Sequence, residues 1–325
     1  MAVVFAVVVA SSYLALERAS FSLNPVSDGR ASVPVAAPLA AVTAQPLAGD
    51  FLLPPRRPQP VRPTPDQSVT ALSDWFAEMN YDLEHIRDRG APVPHAYLVS
   101  LPPDLSDVPE TEERKRLFFQ AVLPLILRAN QEILADRRRL WQVQADVRLG
   151  RRLAPGDRLW LVVMADRYKV ARGDIDGLLQ RVDVVPPSLA LAQAAEESGW
   201  GTSRFAQKGN AIFGQWTTAD GRGLVPMRRD EDKDHKVRKF DELIDSVRAY
   251  MLNLNTHNAY RELRRARAEL RRAGDPLAGL SLARFLTRYS ERGDDYVRTI
   301  RGMIQSNGLD RLDDARLMRG PRPEA

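Results

Sequence analysis

Residues 186–216 read PPSLALAQAAEESGWGTSRFAQKGNAIFGQW, and the fold of the second half of the chain turns on this stretch. Pro186 and Pro187 can open a helix, because proline in the first turn has no hydrogen bond to lose. Leu189, Leu191, Ala192, Ala194 and Ala195 are small or apolar enough to pack closely against neighbours. The helix should stop at Gly199, where glycine accepts the left-handed backbone of a cap. Glu196 and Glu197 therefore fall in its last turn. A carboxylate is electrostatically misplaced there, since the carbonyl end of a helix carries partial negative charge and favours Lys or Arg. Set beside Trp200, such a glutamate is biased towards its protonated form by the dipole and by apolar burial. A proton donor for glycoside cleavage needs that bias. Two solvated surface glutamates are the alternative reading of the same residues.

Outward from this helix, the spacing predicts further helical runs at 241–255, 258–272, 281–290 and 294–306. Between them lies a Gly-rich, polar middle in which GQWTT and HKVRKF read as short strands, joined through GRGLVP and the charged RRDEDKD. Upstream, Leu72, Trp75, Phe76 and Met79 recur at helical spacing. A long helix over 110–147 opens on the acidic PETEE and carries Leu117, Phe118, Val122, Leu125 and Ile126 as its apolar stripe, with a kink expected at Pro124. Leu159 to Val170 reads as another buried helix. The expected fold is mainly α with a small β excursion, an α+β class. Residues 67–160 form a helical accessory region, 161–310 the main domain and 311–325 a flexible tail.

The N-terminal part has a different character. Ala2 to Leu16 is almost purely apolar, ended by Glu17 and Arg18. Its length suits the ~7–15 apolar residues of a signal sequence better than the ~20 of a spanning helix. No Lys or Arg precedes the run and no clean Ala-x-Ala site follows it. Residues 1–20 are thus expected to export or anchor the chain, placing it in the periplasm or cell envelope; an ordinary buried helix is the alternative. Residues 21–66 are rich in Pro, Ala, Val and Ser. They read as a tether, because proline fixes φ and removes backbone donors. The net charge of +5 favours anionic partners without choosing among them.

Composition also excludes chemistry. The chain has no cysteine, so disulfides, thiolate nucleophiles and Cys-ligated metals are ruled out. His85, His95, His235 and His257 show no metal-ligand spacing, and there is neither a P-loop nor a G-x-S-x-G elbow. The basic run RELRRARAELRRAG at 261–274 reads as a solvated helix face rather than a glycan or nucleic-acid contact.

The string ALAQAAEESGWGTSRFA…GNAIFGQW resembles the signature of bacterial β-N-acetylglucosaminidases that cut peptidoglycan, a glycoside hydrolase family 73-like group. The continuation GLVPMRRDEDKDHKVRKFDELIDSVRAYMLNLNTHNAYRELR is similar to their Bax-type branch, over roughly Leu159 to Gly308. That resemblance implies a lysozyme-like build: a helical lobe, a small β lobe and a cleft between them. It also implies hydrolysis of the β-1,4 bond between N-acetylglucosamine and N-acetylmuramic acid, with no cofactor and no metal. The catalytic acid would be Glu197, directly before Ser-Gly-Trp-Gly, and Glu196 would be non-catalytic. Trp200, Asn210, Phe213 and Trp216 would line or shape the substrate site. For Asn210 a loop-tying role is favoured over substrate contact, and for Trp200 a buried structural role stands beside a cleft wall. The second carboxylate would come from the β excursion, as Glu231 in preference to Asp230, although this stretch departs from the Thr-x-Glu-Tyr pattern of the flagellar enzymes. The substrate's own 2-acetamido oxygen could replace it. Tyr260 would orient that group or the acid, with plain helix packing as the alternative. A monomer acting on peptidoglycan strands, with a possible membrane tether, is expected. A lytic transglycosylase or muramidase is the enzymatic rival, though Phe-Gly-Gln-Trp stands where Gly-Leu-Met-Gln would follow the motif. A non-catalytic peptidoglycan-binding scaffold is the rival of another class.

Overall fold

The computed structural model describes residues 68–217, 223–224 and 236–319. The apolar N-terminal run, the Pro-rich tether, Asp230 and Glu231 lie outside the described residues. Among those described, no helix is long and apolar enough to cross a membrane.

Among the described residues, eleven α-helices carry the fold. α1 (Val69–Glu78) and α2 (Leu83–Arg89) lead through a 3₁₀ turn to the long α3 (Thr111–Arg148), then α4 (Pro155–Tyr168) and α5 (Ile175–Arg181). α6 (Pro187–Ser198) and α7 (Arg204–Gly209) follow. Three short strands come next: β1 (Trp216–Thr217), β2 (Gly223–Leu224) and β3 (Lys236–Arg238). β3 lies between the other two and is antiparallel to both. α8 (Leu243–Thr256), α9 (Arg261–Ala273), α10 (Gly279–Leu282) and α11 (Asp294–Ser306) complete the described chain. The mainly α expectation holds. The helix expected over 281–290 is not one helix: α10 ends at Leu282 and a 3₁₀ turn over Ala283–Phe285 replaces its continuation.

Two helices form the centre. Every residue of α3 from Leu117 to Leu127 is buried, and so is every residue of α6 from Pro187 to Ala195. A helix apolar and covered all round is an interior helix. The two pack on each other, α3 also touching α5 and α8, and α6 also touching α10 and α11. Further along, α3 buries only a stripe, Ile133, Arg137, Leu140 and Val143, at the three- and four-residue spacing of one face. α3 runs as one element through Pro124.

The expected domain limits shift accordingly. The boundary drawn at residue 160 falls inside α4, and one continuous apolar core runs from Leu72 to Leu317. The accessory helices share the interior of the second half of the chain, because α3 is the surface on which α6 rests. Nor are residues 311–319 a free tail. Leu312 and Leu317 are buried, and Val93 and Met318 exchange backbone bonds with the opposite segment. Asp313 accepts from the Ser188 backbone N–H and hydroxyl, both at 2.9 Å, and from the Gly279 N–H at 2.8 Å. This carboxylate meets the orphan donors and the positive end of α6.

The basic run at 261–274 keeps a solvated face, with Arg261, Arg265 and Arg272 exposed, but two of its arginines turn inward. Arg264 and Arg267 are buried. Arg264 Nη1 donates to the carbonyls of Leu254 (2.9 Å) and His257 (2.8 Å), satisfying the end of α8. Arg267 donates to the carbonyls of Asp183 and Val184, and Arg271 forms a two-pronged bond with the Asp183 carboxylate. Arg267 stands four residues after Leu263 and three before Leu270, on the inward stripe of α9. Its guanidinium enters the core because unpaired carbonyls await it there.

Candidate active site

The end of α6 is built to present one side chain. Gly199, Trp200 and Gly201 all adopt positive φ (57°, 58° and 79°), which turns the chain sharply away from the helix axis. Ser198 fastens the turn: its hydroxyl donates to the Ala194 carbonyl at 2.6 Å and accepts from the Gly201 N–H at 2.8 Å. Positive φ is uncommon for a tryptophan. Here packing holds it, since the indole sits edge-on to Phe118 and Phe119 of α3 (centroids at 6.2 and 5.2 Å) with the Lys115 ammonium 5.3 Å from the ring. Gly201 has no room for a side chain, because a Cβ would lie 2.6 Å from a Leu101 methyl group. Gly201→Ala is therefore expected to cost about 2–4 kcal/mol, backbone strain adding to overpacking. Urea denaturation reads this directly, and an unchanged midpoint would refute it.

Glu197, thus presented, is partly buried. Its Oε1 accepts from the Tyr296 hydroxyl at 2.9 Å. Its Oε2 faces the backbone of Gly214, where a Cβ would approach to 3.4 Å. Gly214 (φ 58°) lets the loop after α7 lie close against the carboxyl. Burial pushes the Glu197 carboxyl up to about 7; the Tyr296 hydrogen bond and Arg292 oppose that rise, and Glu196 adds to it. Glu196 is itself neutralised, its Oε1 accepting from Arg292 Nη1 at 2.6 Å. Two adjacent glutamates thus have different surroundings, Glu196 paired with Arg292 and Glu197 raised by burial.

Four tyrosines stand around Glu197. Tyr296 stacks on Tyr289 (centroids 5.3 Å apart, 10° between planes), and Tyr260 lies 5.9 Å from Tyr289. Tyr250 stacks on Phe213 at 3.8 Å. Burial drives all four phenols upward, Tyr260 to about 12, so each stays neutral and serves as donor and acceptor. Tyr260 is braced by a side-chain hydrogen bond with Asn253. A carboxyl raised to about 7 among neutral phenols, on a helix end, can supply a proton to a leaving oxygen.

A family model described as mannosyl-glycoprotein endo-beta-N-acetylglucosaminidase matches residues 175–309. Over 211 residues the chain is 34% identical to Protein bax of Escherichia coli (strain K12), covering 63% of this chain and 74% of that protein. The chain belongs to the Bax family of glucosaminidase-domain proteins. No solved structure matches it. The glucosaminidase match opens at α5 and encloses Glu197 and all four tyrosines. Membership in this family marks the chemistry as glycosidase-like, directed at a glycan.

Within this Bax-type domain the residues singled out from sequence take different places. Glu197 and Tyr260 come together. Phe213 is buried beneath Tyr250, and its carbonyl accepts from the Tyr289 hydroxyl at 3.5 Å, so it supports the site from below. Asn210, at positive φ, donates from Nδ2 to the carbonyls of Phe240 (3.2 Å) and Asp241 (3.1 Å), tying the loop after α7 to the chain after β3. Trp200 faces α3. Trp216 belongs to β1, and its side chain lies outside what is described, as do Glu231 and Asp230. No group of His, Asp or Glu among the described residues has the makings of a metal site. Sequence reading missed Gln193, Tyr250, Tyr289 and Tyr296. Only Gln193 left a trace, standing four residues before Glu197 on the same helix face.

Proposed function

We propose that this protein hydrolyses the β-1,4 bond between N-acetylglucosamine and N-acetylmuramic acid in peptidoglycan, with Glu197 as general acid. The observation that carries the reading is the carboxyl of Glu197, held to about pH 7 by burial while its neighbour Glu196 is paired with Arg292. At neutral pH such a group keeps its proton for a substantial part of the time and can pass it to the glycosidic oxygen as the C1–O bond breaks. Positive charge then grows at the anomeric carbon of the N-acetylglucosamine as the protonated muramic acid oxygen departs, and water attacks that carbon to complete the hydrolysis. The second carboxylate would be Glu231, from the segment between β2 and β3, or its place would be taken by the acetamido oxygen of the substrate. Tyr260, neutral and braced by Asn253, is suited to orient that acetamido group. In this reading the β excursion is the smaller lobe of a lysozyme-like cleft, and the N-terminal segment delivers the protein to the periplasm or cell envelope.

The test is digestion of purified peptidoglycan, borohydride reduction and mass spectrometry of the fragments. New ends that reduce to N-acetylglucosaminitol are the expected outcome. Muramitol or 1,6-anhydromuramic ends would move the enzyme to the muramidases or lytic transglycosylases. Retained binding without cleavage would make it a scaffold.

A further inference from the structure

The hydrogen bond from Tyr296 to Glu197 has its own support, and that support is two side chains deep. The Tyr250 hydroxyl, on α8, donates to Gln193 Oε1 at 2.7 Å. Gln193 Nε2 donates to Tyr296 Oη at 2.9 Å, and the Tyr296 hydroxyl donates to Glu197 Oε1 at 2.9 Å. Tyr250, Gln193 and Tyr296 are completely buried, so no water competes for these groups. A phenol has one proton to give. With the Gln193 amide N–H already on its oxygen, Tyr296 is free to point that proton at Glu197. A reversed amide would turn its carbonyl towards Tyr296 and draw the proton away. Reversal is opposed by Tyr250, whose own proton is placed on the Gln193 carbonyl.

We propose that Gln193 and Tyr250 are positioning residues, which keep the Tyr296 proton on Glu197 and so set how readily Glu197 releases and regains its own proton. The proposal rests on the reading of Glu197 as the acid, and it assigns a task to two groups that touch neither substrate nor the reacting atoms. Around Glu197, the charged side chains among the described residues are Glu196 on the same helix and Arg292 from the segment before α11, and these pair with each other. The remaining titratable neighbours are the phenols of Tyr250 on α8, Tyr260 in the turn after it, Tyr289 before α11 and Tyr296 on α11. The adjustable influence on Glu197 is thus the neutral chain that ends at its Oε1.

The experiment follows the Glu197 carboxyl carbon by ¹³C NMR through a pH titration of the full chain, the signal being assigned by its loss in Glu197→Gln. Tyr250→Phe removes one hydroxyl and little volume. It should raise the Glu197 midpoint by about half to one pH unit, since a hydrogen bond to the charged form is weakened. The alkaline limb of kcat should move the same way, with kcat changing more than KM. In a Tyr296→Phe background, Tyr250→Phe should add nothing to the midpoint. Gln193→Met should shift the midpoint as Tyr250→Phe does; if it fails to fold, the two tyrosine variants carry the test alone. An unchanged midpoint in Tyr250→Phe would overturn the proposal. So would an equal shift with and without Tyr296, which would mean that Tyr250 acts through packing. The titration needs no substrate, so it remains readable even if Glu197→Gln were to keep full activity and so remove the catalytic reading.

Discussion

Glu197→Gln is expected to lower peptidoglycan hydrolysis by about 10²–10⁴-fold, the range over which a positioned general acid contributes. The substitution is nearly isosteric. The amide oxygen can still accept from Tyr296, and the turn fastened by Ser198 does not involve the carboxyl, so the fold should stay intact. What is lost is the transferable proton. The wild type carries a second signature of the same group. Because burial lifts the Glu197 carboxyl to about 7, the protonated acid is fully present below that pH and is lost as pH rises through it. Activity should therefore fall on the alkaline side of neutrality by about tenfold per pH unit. The residual activity of Glu197→Gln should lack that limb. Reducing-end release measured across pH 5–9 (roughly the span on either side of the midpoint) reads both effects. A variant as active as the wild type would remove Glu197 from the mechanism. An intact alkaline limb in the variant would assign that limb to another group.

The sequence made this carboxyl legible because everything that singles it out is local. Proline at the start of α6, glycine at its end and an acid in its last turn lie within thirteen residues, Pro187 to Gly199, and helix geometry alone connects them. The long helices were legible for the same reason, their periodicity being a local property. The ring around Glu197 was not. Tyr250, Tyr289 and Tyr296 come from separate segments, and only the packing of α8 and α11 beside α6 brings them to one carboxyl. A tyrosine on an amphipathic helix looks the same in sequence whether it fills a core or faces a catalytic group. Asp313 and the buried arginines of α9 ran against expectation for a related reason. Charge patterning assumes that charged residues seek water, whereas these meet backbone groups that helix ends and an extended segment leave unpaired.

That extended segment supplies the second large effect. Arg267→Ala is expected to destabilise the protein by about 3–5 kcal/mol, the usual cost of removing one partner from a buried charged cluster. Asp183 is buried, with the guanidinium of Arg267 3.8 Å away, that of Arg137 3.7 Å away and that of Arg271 at 2.9 Å. Burial opposes ionisation of Asp183, but the three arginines outweigh it and hold the carboxyl below its ordinary range. The stability this gives is complete above the unfolded-chain value of about 3.9 and is lost as pH falls through the lowered folded value. Arg267 also donates to the carbonyls of Asp183 and Val184 and to the Asn255 side-chain oxygen, and Asp183 and Asn255 are themselves buried. Arg271→Ala, by contrast, removes a residue whose side chain is 37% exposed, so its loss should be much the smaller of the two. Urea denaturation of both variants at pH 7 measures the difference, and equal midpoints would refute the claim that burial decides it. The segment at 179–185 feeds directly into α6, so Arg267 holds the root of the helix whose tip bears Glu197. The catalytic constant per folded molecule of Arg267→Ala should nevertheless stay near that of the wild type below the unfolding transition, because Asp313 and the packing of α3, α10 and α11 fix α6 independently. A fall in that constant while the variant remains folded would mean that the arginine cluster also sets the position of the acid.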